Sequence, residues 1–379
     1  DSIRQFVGKY QRHKQDILLH FVNPDAVPDE VRNLGISVDG EIIIRYQNRT
    51  EHVKTDNEQV FTNALQRLAR NQERWIAFIE GHGERSALGN ANHDLGEWGK
   101  QLFNQGYRAQ PINLSETDNI PNNTNILLIA GPRIDYLPGE LNVINDYIEA
   151  GGNLLWLHEP GPMYGLEPLA ELLNITFPTG AVIDSAGQLI GIDDPTITLV
   201  TGSLYLPHQI TEGFEYTTLF PMTASIETLV STQWSSRPLL STGNHTWNET
   251  GKLEGIIEPN EEVDTLGPLT IGISLERELD VEDGDELVTK QQRIVVIGDG
   301  DFLSNTYLAN SGNNELGTRI INWLSSDDEF ITIAPKTAND TQLNMSNTTL
   351  GVMGIGFLFV LPAILIITGI STGLRRKKR

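Results

Sequence analysis

Three short stretches bring together side chains that could do chemistry. Glu80, His82 and Glu84 alternate with Gly81 and Gly83 directly after the apolar run Trp75–Ile79. If the strand's pleat continued, all three side chains would point to one side, as a divalent-metal site or an acid/base cluster requires. The competing reading is that the glycines make a turn and the polar side chains cap the next segment. His158 and Glu159 end the run Asn153–His158, at the strand-to-turn position of a nucleophile elbow. Histidine is not a nucleophile of the Ser or Cys kind, so packing or hydrogen bonding competes with catalysis there. Asp299 and Asp301 close the run Arg293–Ile297 and could hold a cation, but no third acidic ligand stands at a suitable spacing, which favours a turn. Gly298 and Gly300 lack the third glycine and helix of a dinucleotide fingerprint, and there is no Walker A sequence. No catalytic residue, resident metal or cofactor is assigned.

Each candidate comes after a short, almost wholly apolar run, the signature of a parallel strand covered on both faces. Strands are expected at Trp75–Ile79, Tyr107–Ile112, Asn125–Ala130, Asn153–His158 and Arg293–Ile297. Helices are expected at Asp94–Gln105, Gly139–Ala150 and Glu315–Leu324, with Gly106 and Gly151-Gly152 as stops. The alternation is that of a doubly wound α/β domain, placed at 73–336, with a β-rich insertion around 176–290. Inside the insertion, Ile197–Thr201 and Leu269–Leu275 read as strands, and the acidic stretch Glu276–Glu286 reads as a solvated loop. Phe330–Lys336 reads as a strand-like exit.

Residues 1–72 form a separate module: a helix at Ile3–Lys14, a strand at Ile17–Val22, a short helix at Pro28–Leu34, a hairpin from Glu41–Tyr46 and Thr50–Val53, and a helix at Asn57–Arg70. The order resembles the second half of a thioredoxin-like fold. There is no cysteine anywhere, and Val38-Asp39-Gly40 stands where that fold carries its cis-proline, so the module is read as redox-dead. The missing cysteines also exclude thiol nucleophiles, disulfides and thiolate metal sites.

A net charge of -23 repels phosphate backbones and excludes nucleic acid as a partner. Leu350–Leu374 contains no charged residue, matches the roughly 20 apolar residues that span a bilayer, and ends at the basic tail Arg375–Arg379. One transmembrane helix at 350–374 is therefore expected, after a polar linker at 337–349. The positive-inside bias puts the tail at 375–379 in the cytoplasm and the acidic bulk outside, periplasmic at a bacterial inner membrane. The chain begins at Asp1, and export of a domain ahead of its anchor calls for a preceding signal or span. Asn-x-Ser/Thr triplets, as at Asn244, Asn248 and Asn347, would be glycan acceptors if a eukaryotic secretory pathway made the chain.

In order along the chain stand Glu-Gly-His-Gly-Glu at 80–84, Leu-Leu-Ile-Ala-Gly-Pro at 127–132, Ile-Glu-Ala-Gly-Gly-Asn-Leu-Leu at 148–155 and Val-Ile-Gly-Asp-Gly-Asp-Phe-Leu-Ser-Asn at 296–305. Ile-Asn-Trp-Leu at 321–324 and Ile-Ala-Pro-Lys ending at Lys336 come after them. These pieces resemble the GldG-like family, auxiliary components of ABC-type transport systems first associated with gliding motility. The resemblance implies a membrane-anchored extracytoplasmic domain of class I glutamine-amidotransferase-like fold that partners a permease and a separate ATPase. Enzymes of that fold use a cysteine at the elbow, where this chain has His158, so their activity does not transfer. Two other readings stay open: a hydrolase using Glu80, His82 and Glu84, and a tethered carbohydrate- or peptide-binding module. On the transporter reading, Glu80, His82, Glu84, His158, Glu159, Asp299 and Asp301 are candidates for ligand binding.

Overall fold

The computed structural model describes residues 2–325 apart from 15, 28–30, 32–35, 37–39, 48, 55–57, 70–73, 255–256, 261, 284–285 and 311. The chain divides into units at Asp1–Ala334 and Pro335–Arg379, and every described residue lies in the first. No helix among the described residues is long and apolar enough to cross a membrane. The expected span at 350–374, its linker, the basic tail and the strand-like exit at 330–336 lie outside the described residues.

The N-terminal module contains helix α1 (Ser2–Gln11), an antiparallel hairpin of β1 (Ile42–Tyr46) and β2 (Arg49–Val53), and helix α2 (Glu58–Ala69). Gln47 takes the left-handed φ of 44° that the tight turn requires. Val7, Val53, Phe61 and Ala64 form its buried apolar cluster, and Leu68 is buried as well. The strand expected at Ile17–Val22 does not form. Ile17 and Leu19 pack on the small core, whereas Leu18, Phe21 and Val22 face solvent and pair with no neighbouring strand. Most of the helix expected at Pro28–Leu34, and Val38-Asp39, fall outside the described residues.

The central domain begins with β3 (Arg74–Ile79), α3 (Gly96–Asn104), β4 (Tyr107–Ile112), β5 (Thr124–Ala130), α4 (Pro138–Glu149), β6 (Asn153–Leu157) and α5 (Glu167–Leu173). Short strands come next: β7 (Ile175–Thr176), β8 (Ala181–Asp184), β9 (Ile197–Val200), β10 (Thr218–Pro221), β11 (Glu227–Thr228), β12 (Ser235–Ser241), β13 (Thr246–Glu249) and β14 (Thr265–Leu266). Two long strands, β15 (Thr270–Asp283) and β16 (Glu286–Ile297), and helix α6 (Asn313–Leu324) complete the set.

One seven-stranded sheet, in the order β12-β15-β16-β6-β5-β3-β4, organises the domain. From β16 to β4 all neighbours are parallel, and β15 and β12 add an antiparallel edge. Both faces are covered, which is why β3, β5, β6 and the end of β16 read as unbroken apolar runs, whereas β4 at the edge does not. Trp98 and Leu102 of α3 and Leu316 and Ile320 of α6 pack on one face. Ile144 and Ile148 of α4 and Leu169 and Leu173 of α5 pack on the other. Trp98 and Trp156 are fully buried on opposite faces, and each large apolar side chain so buried contributes roughly 1.5–3 kcal/mol. The chain runs from β3 outward to β4, then returns to place β5 on the other side of β3. That reversal opens a crevice at the C-terminal ends of β3 and β5, where α/β sheets bind ligands.

The acidic stretch expected to be a loop is a β-ribbon. β15 and β16 pair continuously from Gly272↔Ile297 to Asp283↔Glu286, whereas β6 meets β16 only from Ile294 onward. The outer ribbon therefore runs past the parallel strands. Its base is clamped to the end of α4: Arg277 Nη2 and Gln292 Nε2 both donate to Ile148 O, at 2.9 and 2.8 Å, and Gln292 Nε2 also donates to Gly152 O at 2.5 Å.

Candidate functional site

The loops after β3, β6 and β16 meet at the C-terminal edge of the sheet, and a cation joins them. Arg85 is 5% exposed. Its Nη2 donates to Glu159 Oε1 at 2.6 Å and its Nη1 lies 3.0 Å from Asp301 Oδ1, so one guanidinium ties the β3 loop to residues just beyond β6 and β16. Its backbone N–H donates to Ala130 O, bridging β3 to β5 across the crevice. Gly300 N donates to Glu159 Oε1 at 3.0 Å, closing the cluster. Gly131 and Gly300 leave room for it: a Cβ at Gly300 would stand 2.9 Å from both Arg85 Nε and Glu159 Oε1.

Asp299 lies beneath this cluster and is fully buried. Its Oδ1 accepts Phe302 N at 3.1 Å, and its Oδ2 has no hydrogen-bond partner. Burial, reinforced by the nearby Glu159 and Asp301 charges, raises its pKa well above the usual carboxylate range. Burial also raises Glu159, against the opposing pull of Arg85. At Arg85 burial works to lower the pKa, but the surrounding carboxylates, Glu159 first, outweigh it and raise the value.

His82 and Glu84 belong to a different cluster, and Glu80 to neither. The pleat expected to align the three stops at Ile79, because Gly81 and Gly83 take φ of 124° and 80°. Glu80 turns to accept Ser86 Oγ at 2.7 Å. The His82 ring stacks on Tyr136 with centroids 4.2 Å apart, and its Nε2 lies 2.9 Å from Glu140 Oε2. Glu84 accepts the His82 backbone N–H at 2.7 Å and the Tyr136 hydroxyl. Burial and the Glu84 charge push the Tyr136 phenol far up. The glycine-hinged loop is thus fastened to α4 and to the loop before it. Among the described residues, no three histidine or acidic side chains are arranged to share a metal ion.

His158 sits just past β6 but outside the Arg85 cluster. Its ring packs against Phe177, centroids 3.9 Å apart, and edge-on to Trp156. Nε2 is buried without a partner, and burial lowers the pKa from 6.5 to about 4, so the ring is a neutral packing group at physiological pH.

Glu159 and Asp301 lie at the surface of the cluster, with Asp299 beneath. The sequence reading missed Arg85, Tyr136 and Glu140. Arg85 had a signal: carboxylates at two strand ends on one sheet edge need a counter-charge, and Arg85 is the cation nearest the end of β3. Asn305 was likewise unread. Its Oδ1 accepts Glu97 N at 2.8 Å and its Nδ2 donates to Ala91 O at 2.7 Å, stitching the β16 loop to the start of α3.

Residues 73–331 match the family described as "ABC-type uncharacterized transport system". No curated protein matches the chain. Among solved structures, one named "mmIFT52 N-terminal domain" is similar at 18% identity with a TM-score of 0.47, covering 66% of this chain and 97% of that chain.

Proposed function

The chain belongs to the ABC-type uncharacterized transport system family of auxiliary transport components, and from that premise we propose that it is a non-catalytic, membrane-anchored auxiliary subunit of an ABC-type transporter. The observation that carries the proposal is the match across residues 73–331, which spans the whole parallel sheet. The domain stands outside the cytoplasmic membrane, the uncharged stretch Leu350–Leu374 anchors it, and the five basic residues after it remain inside. On this reading it works beside a permease and a separate ATPase, the partners that the family resemblance implies.

The working unit is 73–336, with a β-rich insertion at 176–290 and a degenerate thioredoxin-like module before it. The parallel strand order and the position of His158 after β6 support an amidotransferase-like sheet that has lost its nucleophile. A non-catalytic role is supported by the pairing within the strand-end loops: His82 is committed to Glu140 and Tyr136, and Arg85 to Glu159 and Asp301. Glu159 and Asp301, whose side chains are 26% and 28% exposed, are the candidates placed to meet an envelope ligand.

Purifying the intact chain from native membranes in mild detergent tests the subunit reading. A permease and an ATPase are expected to come with it in fixed ratio. Recovery of the chain alone, under conditions that keep other transporters of the same membrane assembled, overturns the reading.

A further inference from the structure

Nine Asn-x-Ser/Thr triplets occur in the chain, none with proline in the middle, and all precede the apolar stretch 350–374. Chance placement of its Asn, Ser and Thr residues gives about four. The fold sorts the described triplets by what their asparagines are doing. Asn248 is 2% exposed, accepts Ser225 Oγ and donates to Thr179 O, so it has no room for a substituent. Asn113 is half-buried: its Oδ1 accepts Ser115 N and Oγ and its Nδ2 donates to Glu116. Asn174 is half-buried at the left-handed end of α5 and donates to Leu172 O.

Asn122 and Asn244 differ from these. Asn122 is exposed in the turn entering β5, where Thr124 N donates to Pro121 O at 2.9 Å. Asn244 is exposed at the tip between β12 and β13, in a turn closed by Thr246 Oγ1 donating to Gly243 O at 2.8 Å. Neither side-chain amide has a partner among the described residues. Both stand at loop tips, where a bulky hydrophilic group displaces no packing. Beside the Asn244 tip, Leu266, which pairs with Trp247, is 49% exposed, so a glycan there would also shield apolar surface.

We propose that Asn122 and Asn244 are N-glycosylation sites. The substrate class is a polyprenyl-phosphate-linked oligosaccharide. Transfer forms a bond from asparagine Nδ2 to the anomeric carbon, breaks that carbon's bond to the phosphate oxygen, and releases the lipid phosphate and the amide proton. The requirement is such a donor and its transferase on the extracytoplasmic side, in whichever cell makes the chain. The proposal therefore rests on the extracytoplasmic placement of the domain, and not on the transporter partnership.

The test is glycopeptide mass spectrometry of the full chain from its native membranes, alongside Asn122→Gln, Asn244→Gln and Thr124→Val, with protease accessibility measured on intact cells stripped of their outer layers. Peptides holding Asn122 and Asn244 are expected to carry glycan mass. N122Q and T124V should each abolish the first, and N244Q the second. Thr124→Val keeps Asn122 and the side chain's shape, so it separates loss of the acceptor triplet from disturbance of the turn. An accessible domain with both peptides unmodified overturns the glycosylation proposal and leaves the placement standing. A protected, unmodified domain overturns both. Glycan at Asn248 with Asn122 and Asn244 bare overturns the site assignment.

Discussion

Arg85 holds together carboxylates that lie far apart in sequence, and its removal leaves Glu159 and Asp301 facing each other without a counter-charge. Breaking a buried ion pair from one side costs about 3–5 kcal/mol, and the partial exposure of both carboxylates puts Arg85→Ala toward the lower end. Arg85→Lys keeps the charge but loses the fork that reaches two partners, so it should fall between. Urea unfolding of the three proteins reads this, and an R85A midpoint equal to wild type would remove the cluster's structural role. His158 gives a pH signature. Its folded pKa, about 4, is below the unfolded 6.5, so between those values the unfolded chain binds more protons. Its contribution is complete above pH 6.5 and lost as pH falls toward 4, by at most about 3 kcal/mol. His158→Phe, between Trp156 and Phe177, should flatten that slope. Asp299 works with the opposite sign: its raised pKa gives a contribution present below the unfolded carboxylate range and lost as pH rises through the folded value. Asp299→Asn should therefore gain stability over wild type as pH rises, and a pH-independent difference would show that Asp299 does not titrate in the fold.

The β15–β16 ribbon depends on its clamp. Gln292 is fully buried and serves two carbonyls at the end of α4, whereas Gln291, next along the strand, is exposed. Gln292→Ala should cost about 1–3 kcal/mol by stranding Gly152 O and taking one of two side-chain donors from Ile148 O, which keeps Arg277, and Gln291→Ala less than about 0.5 kcal/mol. Equal effects in thermal unfolding would show that the clamp does not hold the ribbon. At the other end of β16, a Cβ on Gly298 would stand 2.0 Å from Ala224 O, and a backbone oxygen cannot swing aside. Gly298→Ala should therefore cost about 1–3 kcal/mol or more through overpacking, read as a lowered urea midpoint. These elements also mark how far the sequence could be read. Strands β3, β5, β6 and the end of β16 were legible because burial on both faces demands unbroken apolar residues. The ribbon was not, because Glu276–Glu286 lacks the apolar periodicity by which a strand is recognised, and its register comes from a partner strand and a clamp more than a hundred residues away. Ile17–Val22 misled in the other direction: its composition suits a strand, but only Ile17 and Leu19 find a core. At the site, the places of Glu159, Asp299 and Asp301 just past strand ends were legible from the apolar runs before them. The split of Glu80 from His82 and Glu84 depended on the φ values of Gly81 and Gly83, which composition does not encode.

Charge and core are unevenly distributed over the whole chain, and the two inequalities make a joint prediction. Residues 1–72 carry ten Lys and Arg against ten Asp and Glu, so the net charge of -23 falls entirely on residues 73–379. Among the described residues the N-terminal module has a small apolar core, Val7, Val53, Phe61 and Ala64 with Leu68 also buried, whereas the central sheet has a large apolar cluster on each face. Self-repulsion in a chain of one sign weakens its compact state, and salt relieves it as the Debye length falls from about 30 Å at 0.01 M to about 3 Å at 1 M. Local stability depends on the apolar contacts that opening would break. Hydrogen exchange on the intact chain in detergent should therefore show β1 and β2 opening well before β3, β5, β6 and β16. Raising salt across that range should slow exchange in the central strands and leave the hairpin nearly unchanged. The thermal midpoint of the central domain should rise by at least about 2 °C, the shift that roughly 1 kcal/mol produces in a domain of this size. If protection is equal in the two regions, the small core is not the weaker one; if salt acts on both alike, charge distribution does not govern the stability of the sheet.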